Sequence, residues 1–125
     1  MSPLVTVLVV DDDADIRRLF RRILRAPEFA VLEAETLAKA RLAAETARFD
    51  LLLCDVHLPD GCGLDFLEEL RRAAPETKAV VLTGQPTEDI RKRARGLGAA
   101  FVAKPFVISD LLVAVESVEV KGEQR

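Results

Sequence analysis

The chain has 125 residues, of which 50% are apolar and 31% charged, and its net charge is -3. This balance is typical of one soluble globular domain and argues against a disordered, fibrous or membrane chain. Acids and bases are mixed along the sequence, and no apolar stretch reaches the roughly 20 residues that span a bilayer. We therefore expect no direct nucleic-acid binding and no membrane association. The two cysteines form no secretory framework and no apolar leader precedes them, which favours the cytoplasm.

The first strand and the first helix have the clearest patterns. Apolar residues at positions 5–10 end abruptly at three aspartates, which predicts a buried strand running into an acidic loop. Apolar residues then recur at three- and four-residue spacing between positions 16 and 24, and this spacing predicts an amphipathic helix. Pro27 is expected to end this unit.

Four further units of strand and helix follow. The predicted strands are residues 30–34, 51–54, 79–82 and 100–103. The predicted helices run from a Thr36 cap to about residue 47, over residues 63–74, from a Thr87 cap to the glycines at 96 and 98, and from Ser109, burying Leu111, Leu112 and Val115. Five strands that alternate with helices predict a parallel sheet with helices on both faces, the doubly wound α/β class.

Polar residues cluster directly after the predicted strands. Asp11 and Asp12 follow the first strand, Asp55 the third, Thr83 the fourth and Lys104 the fifth. The carboxyl ends of parallel strands meet at one edge of the sheet, where ligands bind in such folds. Three crowded carboxylates repel one another unless a cation or the lysine relieves the repulsion. Oxygen ligands favour Mg²⁺ or Mn²⁺ over zinc, so the pattern predicts a metal site.

The chain resembles the receiver domains of two-component response regulators in four segments: VVDDD at 9–13, LCDVHLPDG at 53–61, LTG at 82–84 and KPF at 104–106. The segments stand in the family's order along nearly the whole sequence. The resemblance implies a flavodoxin-like sheet of order 2-1-3-4-5 with five helices. It also implies a receiver domain over residues 1–120, followed by a polar tail over residues 121–125.

The resemblance also assigns the phosphoryl acceptor and the metal ligands. Asp55 would accept a phosphoryl group from a sensor histidine kinase or a histidine phosphotransfer protein. Asp11 and Asp12 match the acidic pair that holds Mg²⁺ (or Mn²⁺), one directly and one largely through water. Asp55 and the main-chain carbonyl of His57 would complete the protein ligands.

Further residues match the phosphate-binding and switching positions of the family. Thr83, Gly84 and Lys104 would bind the phosphoryl group. Thr83 would turn inward together with a rotamer change of Phe101, and Pro105 matches a cis-proline that aims Lys104 at the site. Proline is the residue at which a cis bond is a routine structural device.

By this resemblance the protein is a signalling switch that catalyses only its own phosphoryl transfer and dephosphorylation. Its phosphorylation would change the side formed by the fourth helix, fifth strand and fifth helix, which could also mediate a homodimer. Arginines at 17, 18, 21, 22 and 25 line the first helix. They could dock a kinase, but a charged helix face is usually only solvated.

Other interpretations of the same residues are weaker. Asp13 and Asp15 are better explained by helix capping. A calcium loop is disfavoured because Ile16 stands where glycine is required and Arg22 where a bidentate glutamate belongs. A phosphatase of the haloacid-dehalogenase type would use Asp11 as the nucleophile, but Asp15 is not its usual Thr or Val. A receiver that acts without phosphorylation would not need Asp55 and Lys104.

Overall fold

The computed structural model of the chain describes residues 5–25 and 27–118. Within these ranges, five parallel strands form the central sheet: β1 Val5–Val10, β2 Phe29–Ala34, β3 Leu51–Asp55, β4 Lys78–Thr83 and β5 Ala100–Ala103. Five helices alternate with them: α1 Ala14–Ile23, α2 Leu37–Thr46, α3 Gly63–Ala73, α4 Glu88–Gly96 and α5 Ile108–Ser117.

The strand order β2-β1-β3-β4-β5 confirms the predicted doubly wound α/β fold. The pattern did not predict one feature of the sheet edge: His57–Leu58 and Gly61–Cys62 pair as a short antiparallel hairpin directly after β3. The predicted tail over residues 121–125 lies outside the described residues.

The three central strands, β1, β3 and β4, are largely buried on both faces, and this explains their nearly continuous apolar runs. Alternate side chains enter two separate core layers. The layer under α2, α3 and α4 contains Leu8, Val10, Leu52, Cys54 and Val81 with Leu37, Leu64, Leu67 and Ala94. The layer under α1 and α5 contains Val7, Val9, Leu53, Val80 and Leu82 with Phe20, Leu24, Leu111 and Ala114. Helices therefore cover both faces of the sheet, and the edge at the carboxyl ends of its strands is left open for a binding site.

Three helix starts follow the predicted capping chemistry. The side chains of Asp13, Thr36 and Thr87 each accept a hydrogen bond from a main-chain N–H in the first turn of α1, α2 and α4. These bonds satisfy amide groups that have no partner inside the helix. The capping interpretation of Asp13 is therefore confirmed.

The prediction for α5 was wrong in two details. The helix does not begin at Ser109 but one residue earlier, at Ile108, and its N-cap residue Val107 provides no side-chain cap. Leu112 is 40% exposed, whereas Leu111 is fully buried. Leu111 and Ala114 are three residues apart and face the sheet, so Leu112 points away around the helix.

The strand register brings the ends of distant segments together. Val10 lies opposite Cys54 in the pairing of β1 with β3, so Asp11 and Asp55 leave the sheet side by side. The order of strands reverses at this pair, which makes it the switch point of the fold. Thr83 lies opposite Ala103 at the end of the β4–β5 pairing, and Lys104 is the next residue after Ala103.

Among the helices of the described ranges, none combines the length and apolar character that crossing a bilayer requires.

Gly63 should be essential to the packing behind this edge. A Cβ at this buried position would lie 2.0 Å from the main-chain oxygen of Asp55 and 2.8 Å from Cys54 Sγ. We expect Gly63→Ala to lower the free energy of unfolding by about 2 to 3 kcal/mol, because packed backbone yields poorly to an added methyl group. Chemical denaturation measures this change.

Gly96→Ala is the matched control. Gly96 ends α4, and a Cβ there would have no neighbouring atom within 4 Å. It should leave stability unchanged or raise it slightly, because alanine favours the helix. Equal losses in the two variants would contradict the packing argument.

Candidate functional site

Asp11 is the most constrained residue of the carboxyl edge. It is 1% exposed. One carboxylate oxygen, Oδ1, accepts a hydrogen bond from the Asp13 N–H at 2.9 Å, and Oδ2 accepts one from Lys104 Nζ at 2.8 Å. Lys104, which follows β5, therefore reaches across the sheet to the end of β1.

Asp55 shares the same lysine. It is 6% exposed, and its Oδ2 accepts a hydrogen bond from Lys104 Nζ at 3.3 Å while Oδ1 accepts one from the His57 N–H at 3.3 Å. Burial raises the pKa of Asp55, the charge of Asp11 raises it further, and Lys104 offsets only part of this effect. Burial lowers the pKa of Lys104, but its bonds and charge interactions with Asp11 and Asp55 outweigh burial and raise it overall. The pair of carboxylates is thus crowded even with the ammonium between them.

The exposed carboxylate of Asp12 completes an oxygen cluster. Ligand oxygens of Asp11, Asp12 and Asp55 all lie within 4.8 Å of one another. A set of carboxylate oxygens, one of them open to solvent, fits a hard cation such as Mg²⁺ or Mn²⁺ that retains water ligands. The residues therefore suit the predicted metal by their chemistry and spacing.

Thr83 is fully buried at the end of β4. Its hydroxyl oxygen accepts a hydrogen bond from the Gln85 N–H at 2.9 Å and lies 3.3 Å from Nδ1 of the otherwise exposed His57. The side chain of His57 therefore links the hairpin after β3 to the end of β4. Gly84, next in the chain, is exposed and lines with Lys104 a surface pocket of about 480 Å³.

Phe101 and Pro105 flank this edge on the β5 side. Phe101 is partly buried, and the guanidinium carbon of Arg91 on α4 lies 4.6 Å from its ring centroid. A cation at this distance from an aromatic face is attracted by the ring. The peptide bond between Lys104 and Pro105 is cis.

Sequence patterns missed three contacts around the site. Arg17 on α1 donates to the main-chain oxygen of Asp11. Asp60 of the hairpin accepts hydrogen bonds from the Leu37 and Ala38 N–H groups at the start of α2, and these bonds lower the pKa of Asp60. Arg93 on α4 pairs with Asp65 and Glu68 on α3. Helical periodicity places Arg17 and Arg93 on a polar face but does not indicate their partners, and no periodicity applies to Asp60 in the turn of the hairpin.

The strand order and the acidic site at the switch point of the sheet place the chain in the class of flavodoxin-like α/β domains with a carboxylate site. A family model described as "Response regulator receiver domain" matches residues 7–116. The chain therefore belongs to the receiver domain family of two-component response regulators, signalling modules whose general function is a phosphorylation switch.

Individual relatives agree with this family. The KDP operon transcriptional regulatory protein KdpE of Escherichia coli K12 is 38% identical over 111 residues, which cover 86% of this chain and 48% of that protein. A CheY-like receiver domain protein from Methanospirillum hungatei JF-1 has a TM-score of 0.88 at 29% identity, covering 98% of both chains. A response regulator from Burkholderia pseudomallei, solved with a phosphorylated aspartic acid, calcium ion and citrate, has a TM-score of 0.80 at 26% identity and covers 95% of this chain and 69% of that one. The chain spans about half the length of the curated relatives it matches.

The raised pKa of Asp55 predicts that its charge destabilises the fold. Its folded pKa lies above the unfolded value, so Asp55→Asn should stabilise the protein at neutral pH, by roughly 1 kcal/mol. This gain should shrink as the pH falls through the folded pKa and vanish below the unfolded one, where both states hold the proton. Urea unfolding in chelator across this pH range measures it.

Asp13→Asn is the control for general loss of negative charge. Asp13 lies in the same acidic loop but is exposed, and asparagine caps a helix about as well as aspartate. Its stability change should be close to zero. A stabilisation equal to that of Asp55→Asn would show that crowding at the buried cluster is not the cause.

Proposed function

We propose that Asp55 is the phosphoryl acceptor of this chain, and that a sensor histidine kinase or a histidine phosphotransfer protein is the donor. The observation that carries the proposal is the cluster of carboxylate oxygens from Asp11, Asp12 and Asp55, together with the Lys104 ammonium that bonds to Asp11 and Asp55, in a member of the receiver family. The phosphorylated aspartic acid of the Burkholderia pseudomallei relative supports the same chemistry.

In the proposed reaction, a carboxylate oxygen of Asp55 attacks the phosphorus of a phosphohistidine. A new oxygen–phosphorus bond forms and the nitrogen–phosphorus bond breaks, so the imidazole nitrogen keeps the electron pair and takes up a proton. The attacking carboxylate must be ionised, and Lys104 favours that form at 3.3 Å. Phosphoryl transfer depends mainly on positioning and charge neutralisation, so these groups suffice.

Asp11, Asp12, Asp55 and the main-chain carbonyl of His57 are the proposed ligands of Mg²⁺ or Mn²⁺. The cation would neutralise charge on the transferring phosphoryl group. Lys104 would exchange a carboxylate partner for a phosphoryl oxygen, and Gly84 would line the phosphoryl position. The same residues would serve the chain's own dephosphorylation.

The proposed switch couples this chemistry to α4, β5 and α5. The Thr83 hydroxyl would leave its Gln85 and His57 neighbours for the phosphoryl group, and Phe101 would change rotamer and leave Arg91. Phosphorylation would thus favour one of two arrangements that already exist in equilibrium. In the arrangement that phosphorylation favours, the face formed by α4, β5 and α5 would carry the response.

The same face is the proposed homodimer surface. Large apolar side chains are exposed on and beside α5: Val107, Ile108, Leu112 and Val113, between 40% and 64%. Neighbouring exposed apolar residues support an interaction surface.

The domain boundary at residue 120 and the cytoplasmic location stay predictions.

Incubation with acetyl phosphate and Mg²⁺ should add one phosphoryl group to the chain, as measured by intact mass. Asp55→Asn should abolish the addition, because the amide is not a nucleophile at this pH. Chelation of divalent ions should reduce labelling of the unmodified chain by at least about tenfold, because the cation stabilises charge in the transition state.

Asp13→Asn is the control variant, since its carboxylate lies in the same loop but only caps α1. It should be labelled like the unmodified chain. Labelling that persists in Asp55→Asn would refute the assignment of the acceptor. Steady hydrolysis of an aryl phosphate that requires Asp11 would instead support the phosphatase interpretation.

A further inference from the structure

Arg17 connects the acidic loop to the rest of the fold. From the first turns of α1 its Nη1 donates to the main-chain oxygen of Asp11 at 2.7 Å, and its Nε donates to Glu33 Oε1 at 3.2 Å. Its side chain is only 16% exposed, in contrast to the 55% of Arg18 beside it. Arg17 is therefore not part of the solvated face that periodicity predicted for the arginines of this helix.

The oxygen that Arg17 contacts belongs to the peptide unit between Asp11 and Asp12. Every other polar atom of Asp11 is also held: its N–H donates to Ala34 at 3.0 Å, and its two carboxylate oxygens accept from Asp13 and Lys104. The Asp12 side chain, in contrast, is exposed and has no hydrogen-bond partner among the described residues. The direction of its carboxylate therefore depends on the backbone that Arg17 holds.

The charge of Arg17 opposes this effect, since a guanidinium near the cluster repels a cation. Two carboxylates offset that charge: Glu33 Oε1 on β2 lies 3.2 Å from Arg17 Nε, and Glu35 Oε1 lies 3.9 Å from Arg17 Nη2. A neutralised guanidinium can fix a peptide plane at little electrostatic cost to the cation. Loss of the backbone contact should weaken cation binding, whereas loss of the positive charge should strengthen it. The direction of the change in affinity therefore distinguishes the two effects.

We infer that Arg17 is a positioning residue of the metal site: held by Glu33, it fixes the Asp11–Asp12 peptide and so orients the Asp12 carboxylate toward the cation. The inference rests on the proposed function, because it assumes that the carboxylate cluster binds Mg²⁺. It assigns Arg17 to the acidic loop rather than to a docking surface.

Mg²⁺ binding to the 125-residue chain, measured by calorimetry without any phosphoryl donor, tests this inference. Arg17→Gln should raise the dissociation constant for Mg²⁺ by about tenfold, the loss usual when a group that orients a metal ligand is removed. Arg21→Gln is the matched control: it removes the same charge and also a partner of Glu33, but Arg21 makes no contact with the loop. Its dissociation constant should stay within about twofold of the unmodified value.

Arg17→Lys keeps the charge but loses the planar fork that reaches both groups, so it should bind Mg²⁺ more weakly than the unmodified chain. This variant serves as the test if Arg17→Gln does not fold, as judged by thermal unfolding. Unchanged or tighter Mg²⁺ binding by folded Arg17 variants, or equal weakening in Arg21→Gln, would overturn the inference alone. Absence of Mg²⁺ binding by the unmodified chain would overturn the proposed metal site and the inference with it.

Discussion

The ammonium group of Lys104 lies between two buried carboxylates, 2.8 Å from Asp11 and 3.3 Å from Asp55. The three residues follow three different strands, so the contact exists only when β1, β3 and β5 end at the same edge. One ammonium does not balance the carboxylates of Asp11, Asp55 and the neighbouring Asp12, and an excess of negative charge remains. Such an excess favours binding of a cation. A bound cation would in turn offset the negative charge of an incoming phosphoryl group.

Around this cluster, the structure separates rigid parts from parts that can change. Asp11 is bonded at every polar atom, and the hairpin after β3 is tied to α2 by Asp60, whose two carboxylate oxygens take both of the first N–H groups of that helix. Thr83 and Phe101 have replaceable partners instead: a main-chain amide, an imidazole and an arginine. In the proposed switch, phosphoryl oxygens would compete with the amide and the imidazole for the Thr83 hydroxyl. The firmly bonded residues surround the proposed phosphoryl acceptor, and the replaceable contacts lie on the side of the proposed response.

Much of the fold followed from the sequence because buried parallel strands are short apolar runs and polar residues follow them directly. The acidic loop and Lys104 could be assigned for this reason, and the family resemblance supplied the order of the strands. The start of α5 was misplaced because Val107 offers no capping side chain, and Ser109 was the nearest plausible signal. The partners of Arg17 and Arg93 could not be predicted, because helical periodicity gives the face of a residue but not the neighbour it meets there. The partners of Asp60 could not be predicted either, because it lies in a turn to which no periodicity applies. Arg17 and Glu33, for example, are 16 residues apart and meet only when α1 packs beside β2.

The pKa of Asp55, measured by carbon NMR of its carboxyl group in the absence of divalent ions, tests the central claim most directly. If crowding with Asp11 and relief by Lys104 govern this edge, Asp55 should titrate above the ordinary aspartate range. Its pKa should fall in Asp11→Asn and rise further in Lys104→Gln. An ordinary pKa that neither substitution changes would contradict the account, because the three groups would then not share one electrostatic site.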